Sequence, residues 1–322
     1  MTPDIIFPHL GIEIAHISRE AFSIGGFGIY WYGVFIALGI LVGAVASFAN
    51  TKLNNVNNDM FMDFILWSVT IAMICTRLYY VIFNFDNYKD NLLKIFDFRD
   101  GGMGVYGGII SGILVCVIFA KIRKIKMGQI ADAAVFGLVA GQVFGRVGNF
   151  FNQEAFGDYT NNLFAMRLKL PNVDSSSVTQ KMRDNLHMLD GVSYIQVHPT
   201  FLYEMLLNIG IFIIMWVYRK RKVFYGELLN IYVILYALGR FFIESLRTDQ
   251  LFLWNTDIPV SMLVSGILFA GGVAYYIYRR VKARGNELDL RASLDDEAGN
   301  APVSEISMET EPGQETDGGA DA

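Results

Sequence analysis

The sequence predicts an all-α, polytopic membrane protein of about seven transmembrane helices, N-terminus outside and C-terminus cytoplasmic, with a small external cap. Three observations carry this expectation. Hydrophobic residues make up 53% of the 322 and charged residues 18%, with a mean hydropathy of +0.37, a balance that soluble domains of this length rarely reach. About seven apolar runs approach the roughly 20 residues a spanning helix needs. Basic residues cluster at the ends of alternate runs, which sets the orientation.

The runs fall at 28–49, 60–83, 104–120, 130–150, 200–218, 227–246 and 258–278. Residues 1–27 lack a basic n-region, an apolar core and a small-residue cleavage site, so no removable signal peptide is expected and the first span directs its own insertion. Three basic segments mark cytoplasmic ends: Lys121, Arg123, Lys124 and Lys126; Arg219, Lys220, Arg221 and Lys222; Arg279, Arg280, Lys282 and Arg284. Lys52, in the first loop, falls on the same side. One membrane domain covers 1–284, with external excursions at 84–103 and 158–198, neither apolar enough for a separate core. Within the second, Met166-Arg167-Leu168-Lys169-Leu170 alternates as β structure does. Residues 285–322 hold eleven acids and one arginine and are expected to be a disordered cytoplasmic tail.

Polar residues inside these runs are costly and need a reason. Trp31 and Tyr32 open the first span, where an aromatic belt and a lipid site are both admissible readings. Arg77, near the end of the second, suits either snorkelling to the interface or a headgroup phosphate. Gly101, Gly102, Gly104, Gly107 and Gly108 surround Tyr106 at the start of the third, allowing close helix contacts or irregular backbone beside a cavity. The fourth carries Asp132 and Gln142 and closes on Arg146, Asn149, Asn152 and Glu154; Gly148 and Gly157 predict that the helix loosens there. His198-Pro199 begins the fifth, with Tyr203 and Glu204 read as supporting the helix start. In the sixth, Tyr236, Arg240, Glu244 and Arg247 are spaced to form one polar stripe, and Arg240 with Glu244 also suits an internal ion pair.

Cys75 and Cys116 lie within predicted spans and are expected to be small packing residues, with no disulfide, thiolate metal site or cysteine nucleophile. No metal-ligand spacing or phosphate-cradling glycine loop is evident. No metal, cofactor or nucleic-acid partner is therefore expected.

The block Gly145-Arg146-Val147-Gly148-Asn149-Phe150-Phe151-Asn152-Gln153-Glu154-Ala155-Phe156-Gly157 closely resembles the signature of the prolipoprotein diacylglyceryl transferases. Tyr32, Arg77, the glycine-rich start of the third span, His198-Pro199 and the Arg240 face extend the resemblance through most of 24–270. Two positions depart from the family pattern: Tyr106 stands where a histidine is frequent, and Ala133 and Ala134 follow Asp132 where a proline is usual.

The resemblance implies a bacterial cytoplasmic (inner) membrane enzyme with its active site toward the external leaflet. It would move diacylglyceryl from phosphatidylglycerol to the lipobox cysteine of a prolipoprotein signal peptide, through a lateral opening to the bilayer. Arg146 and Arg240 suit phosphate binding and leaving-group stabilisation. Asn149, Asn152 and Glu154 would orient the headgroup or the arginines, supported by Tyr32, Tyr236 and Glu244, with Arg77, Gly107, Gly157 and Arg247 also on the substrate side. The proton acceptor stays open among Tyr106, Glu154, His198 and water. A transporter of lipid or an anionic solute is the alternative, mildly disfavoured because no internal repeat is visible.

Overall fold

The computed structural model describes residues 2–97, 102–248, 250, 252–253, 256 and 259–283. The acidic tail, Arg284 and Gly101 lie outside them. The chain begins with four short strands, β1 (Ile5–Phe7), β2 (Ile12–Ile14), β3 (Glu20–Ile24) and β4 (Phe27–Tyr30). Helices α1 (Trp31–Phe48), α2 (Asn58–Phe83), α3 (Val105–Ile122) and α4 (Met127–Asn152) follow. Next come β5 (Met166–Lys169), the short α5 (Gln180–Asp184), β6 (His187–Leu189) and β7 (Val192–Val197). The chain then forms α6 (Thr200–Tyr218), α7 (Glu227–Glu244) and α8 (Val260–Ala283).

Six of these helices, α1, α2, α3, α4, α6 and α8, are long and apolar enough to cross a membrane. The protein is thus a polytopic, mainly helical membrane protein. The seventh expected span exists as helix α7, but it carries Glu227, Arg240 and Glu244 within 18 residues, so apolarity alone does not qualify it. Expected and observed helix limits agree within a few residues. The late start of the first span has a cause: residues 28–30, expected in the helix, pair with β3 as a hairpin instead of extending α1.

Close helix approach is made by glycine where α1 crosses α4: a Cβ on Gly43 would meet the Gly137 backbone at 2.9 Å. Helix α4 runs unbroken past Asp132, so the missing proline leaves a regular backbone there. Asp132 is fully buried and ties the helix ends together, accepting from the amides of Gly226 at 2.9 Å and Leu229 at 3.1 Å, with Lys222 at 3.4 Å. Burial pulls the Lys222 ammonium below its ordinary pKa against the opposing pull of Asp132. All of this lies at the end of the bundle that carries the basic segments.

The opposite end carries the cap, a five-stranded antiparallel sheet in the order β2-β1-β5-β7-β6. The cap segment packs a core that it shares with the N-terminal strands and α6. Met166, Leu168, Met182, Ile195 and Val197 are joined there by Ile5 and Phe7 from β1 and by Phe201 from α6. The 158–198 excursion is too polar alone, and the N-terminal strands complete it. Among the described residues Cys75 and Cys116 are both free thiols, Cys116 buried in the helix packing.

Candidate active site

The last turns of α4 build the first half of the site. Arg146, Asn149 and Asn152 share a helix face. Arg146 Nη1 donates to Asn149 Oδ1 at 3.0 Å, and the side-chain amides of Asn149 and Asn152 both donate to Glu154 Oε1 at 2.9 Å. The helix does not loosen at Gly148. It ends after Asn152, where Gln153 takes φ 54° and Ala155 takes φ 55°. Two non-glycine residues in the left-handed region are uncommon, and they flank the residue whose carboxylate turns back to the helix face. Gly148 seats an aromatic ring instead: a Cβ there would lie 2.5 Å from Tyr32 Cδ2. The Tyr32 phenol sits within the fields of Glu154 and Arg146.

The second half comes from α7 and the segment after it. Arg240 pairs with Glu244 through Nη2 and Oε2 at 2.6 Å, and Ser261 of α8 donates to the other Glu244 oxygen. Tyr236, one turn earlier, stacks on Tyr232 at 5.4 Å and sets its hydroxyl against Arg146. Arg247 falls beyond the end of α7 rather than on its stripe. Its backbone is bridged to Gly157, which crosses so tightly that a Cβ would collide with the Leu246 carbonyl. The Gly157 amide donates to the His198 carbonyl at 2.8 Å.

What joins the halves is Glu204 on α6. It is 0% exposed, and its carboxylate meets Arg146 through one oxygen and Arg240 through the other; Arg247 Nη1 lies 3.4 Å from Oε1. Sequence reading assigned Glu204 only to the helix start. The signal that could have found it is the rule already applied to Arg146: a carboxylate in an apolar helix is expensive without a cationic partner.

Residues 19–278 match the sequence model of the family described as prolipoprotein diacylglyceryl transferase. The chain belongs to that family. It is 36% identical over 270 residues to a phosphatidylglycerol–prolipoprotein diacylglyceryl transferase of Clostridioides difficile, covering 84% of this chain and 98% of the relative. Relatives of the same name show 38% identity in Listeria monocytogenes, covering 85% and 94%, and 37% in Finegoldia magna, covering 84% and 100%.

The remaining residues singled out from the family signature lie outside this hydrogen-bonded cluster. Arg77 is buried and clamps the loop after α2, donating to the carbonyls of Lys94, Ile95, Asp97 and Gly102 at 2.6–3.1 Å. Gly107 is a contact between α2 and α3, since a Cβ there would strike the Cys75 carbonyl. Tyr106 is half exposed, with its ring 6.1 Å from Tyr79. His198 Nδ1 lies 3.3 Å from the Tyr203 hydroxyl, facing the cap. Burial lowers its pKa, Asp158 partly restores it, and Lys181 lowers it further. Beside Glu154, a cavity reaches toward the cap past Asn152, Arg19, Asp174 and Ser177.

Proposed function

We propose that the protein transfers the diacylglyceryl group of phosphatidylglycerol to the lipobox cysteine of a prolipoprotein, forming a thioether and releasing glycerol phosphate. The observation that carries this reading is the convergence of Arg146, Arg240 and Arg247, from three separate segments, on one carboxylate beside Asn149 and Glu154. Glu204 holds the guanidiniums in register while their side chains keep 23% and 19% exposure at Arg146 and Arg240. Each retains N–H groups for an incoming phosphate.

In this reaction the cysteine sulfur attacks the glyceryl carbon that bears the phosphate ester. The carbon–oxygen bond breaks, and its electron pair leaves on glycerol phosphate. Charge therefore grows on phosphate oxygens, where fixed guanidiniums stabilise it without reorganisation. Positive charge also favours the thiolate of a cysteine whose reference pKa is about 8.5. Of the candidate acceptors for the thiol proton, Glu154 is the one joined to Arg146 through Asn149, and we assign it that role.

The cap end faces the external side and the basic end the cytoplasm of a bacterial inner membrane, with α7 as the seventh span. The lipid arrives sideways. The apolar core joining α2 and α3 to α4 gathers residues such as Phe61, Phe119 and Ile130, near the basic end, which supports a lateral opening nearer the cap. Transport of lipid or an anionic solute is not favoured, because the compared relatives are named as transferases. Purified protein with phosphatidylglycerol should add the diacylglyceryl mass to a lipobox peptide. Folded protein that adds none would overturn the assignment.

A further inference from the structure

The three helices that form the charged cluster each carry a polar residue one turn deeper in the bundle. Gln142 precedes Arg146 by four residues on α4, Tyr236 precedes Arg240 by four on α7, and Asn208 follows Glu204 by four on α6. Residues spaced in this way share a helix face. Because α6 runs opposite to α4 and α7, all three are displaced in the same direction, away from the cap. Tyr236 is engaged with Arg146, and Gln142 donates through Nε2 to the Tyr232 hydroxyl at 2.8 Å.

Asn208 differs from both. It is 1% exposed, and among the described residues neither its Oδ1 nor its Nδ2 has a hydrogen-bond partner; Gln142 Oε1 is likewise buried and unpaired. Buried amides are almost always paired, and each exception calls for an explanation. Leucine is close to asparagine in size and would remove the cost altogether, so the fold alone gives no reason for an amide.

We propose that Asn208 is a binding residue for an acyl-ester carbonyl of the donor lipid, a reading that rests on the proposed transferase activity. When the phosphate lies at Arg146 and Arg240, the lipid's ester carbonyls follow it by the length of a glycerol unit toward the bilayer interior. Four residues of helix span about 6 Å in that direction. An ester carbonyl only accepts hydrogen bonds, which matches the free Asn208 Nδ2. Neither acyl ester is made or broken in the transfer, so this contact fixes the depth of the glyceryl carbon relative to the arginines.

The test compares phosphatidylglycerol with its diether analogue of equal chain length, which carries the same phosphate and glyceryl carbon but no carbonyls. Both are supplied to the full-length protein with a lipobox peptide. Wild type should use the diester with a kcat/KM about five- to tenfold higher, the size of one neutral hydrogen bond. Asn208→Leu and Asn208→Ala should lower the diester rate to the diether level and leave the diether rate unchanged. A wild type indifferent to the carbonyls overturns the proposal, and so does an undiminished preference in folded Asn208 variants, which would leave Asn208 holding water alone. Transfer from neither lipid by folded wild type would instead sink the transferase reading itself.

Discussion

Glu204 separates two effects that a substitution at either arginine would combine. Removing it leaves three guanidiniums without their shared counterion, and breaking a buried ion pair by deleting one partner costs about 3–5 kcal/mol. Glu204→Ala should therefore lower thermal stability as well as transfer, whereas Glu204→Gln keeps the volume and one acceptor and should lose mainly transfer. Arg146→Lys and Arg240→Lys should stay folded and lose transfer about 100-fold or more, because an ammonium cannot present the two-pronged donor that a carboxylate or phosphate accepts. Both comparisons need only a melting curve and a peptide mass assay. Arg146, Asn149 and Glu154 were legible in the sequence because polar groups closing an apolar run have few structural explanations. Glu204 was harder to see, since its partners lie dozens of residues away on other helices. Arg77 shows the converse. Its position suggested phosphate or the interface, yet its guanidinium is engaged by backbone carbonyls of the loop that follows, and no local pattern announces such a clamp.

At the level of elements, two glycines act through what they admit. Gly148 makes room for the Tyr32 ring and Gly157 for the Leu246 carbonyl. Gly148→Ala should push Tyr32 away from Arg146 and raise the KM for lipid with little change in melting temperature, because an aromatic side chain can swing aside. Gly157→Ala faces backbone, which cannot yield as cheaply. It should cost about 1–3 kcal/mol of stability and displace Arg247, which would be read as a lower melting temperature together with lower transfer. The spans themselves were readable because spanning helices must be mostly apolar along their length. Their ends were less so. Hairpin pairing claimed residues 28–30 from the first helix, and the signature helix continued through Gly148 because a single glycine weakens a helix without ending it.

Across the whole molecule, the cap was the least legible part, since its sheet is assembled from strands that sequence separates widely. Alternation pointed to β5, but nothing local shows that β1 is its neighbour. The cap should also respond to acid. Burial holds His198 below the ordinary imidazole pKa of about 6.5, so the fold favours its neutral form. Its contribution to stability is complete above that ordinary value and is lost as pH falls through the lowered one. Melting temperature followed from pH 7.5 to 5 should fall more steeply for wild type than for His198→Gln.

Strand β1 lies inside the sheet, between β2 and β5, with Ile5 opposite Leu168. Strand β1 therefore has to wait for a partner made more than a hundred residues later. A nascent chain arrested before β5 should leave Ile5 and Phe7 open to added protease, and one released after β7 should shield them.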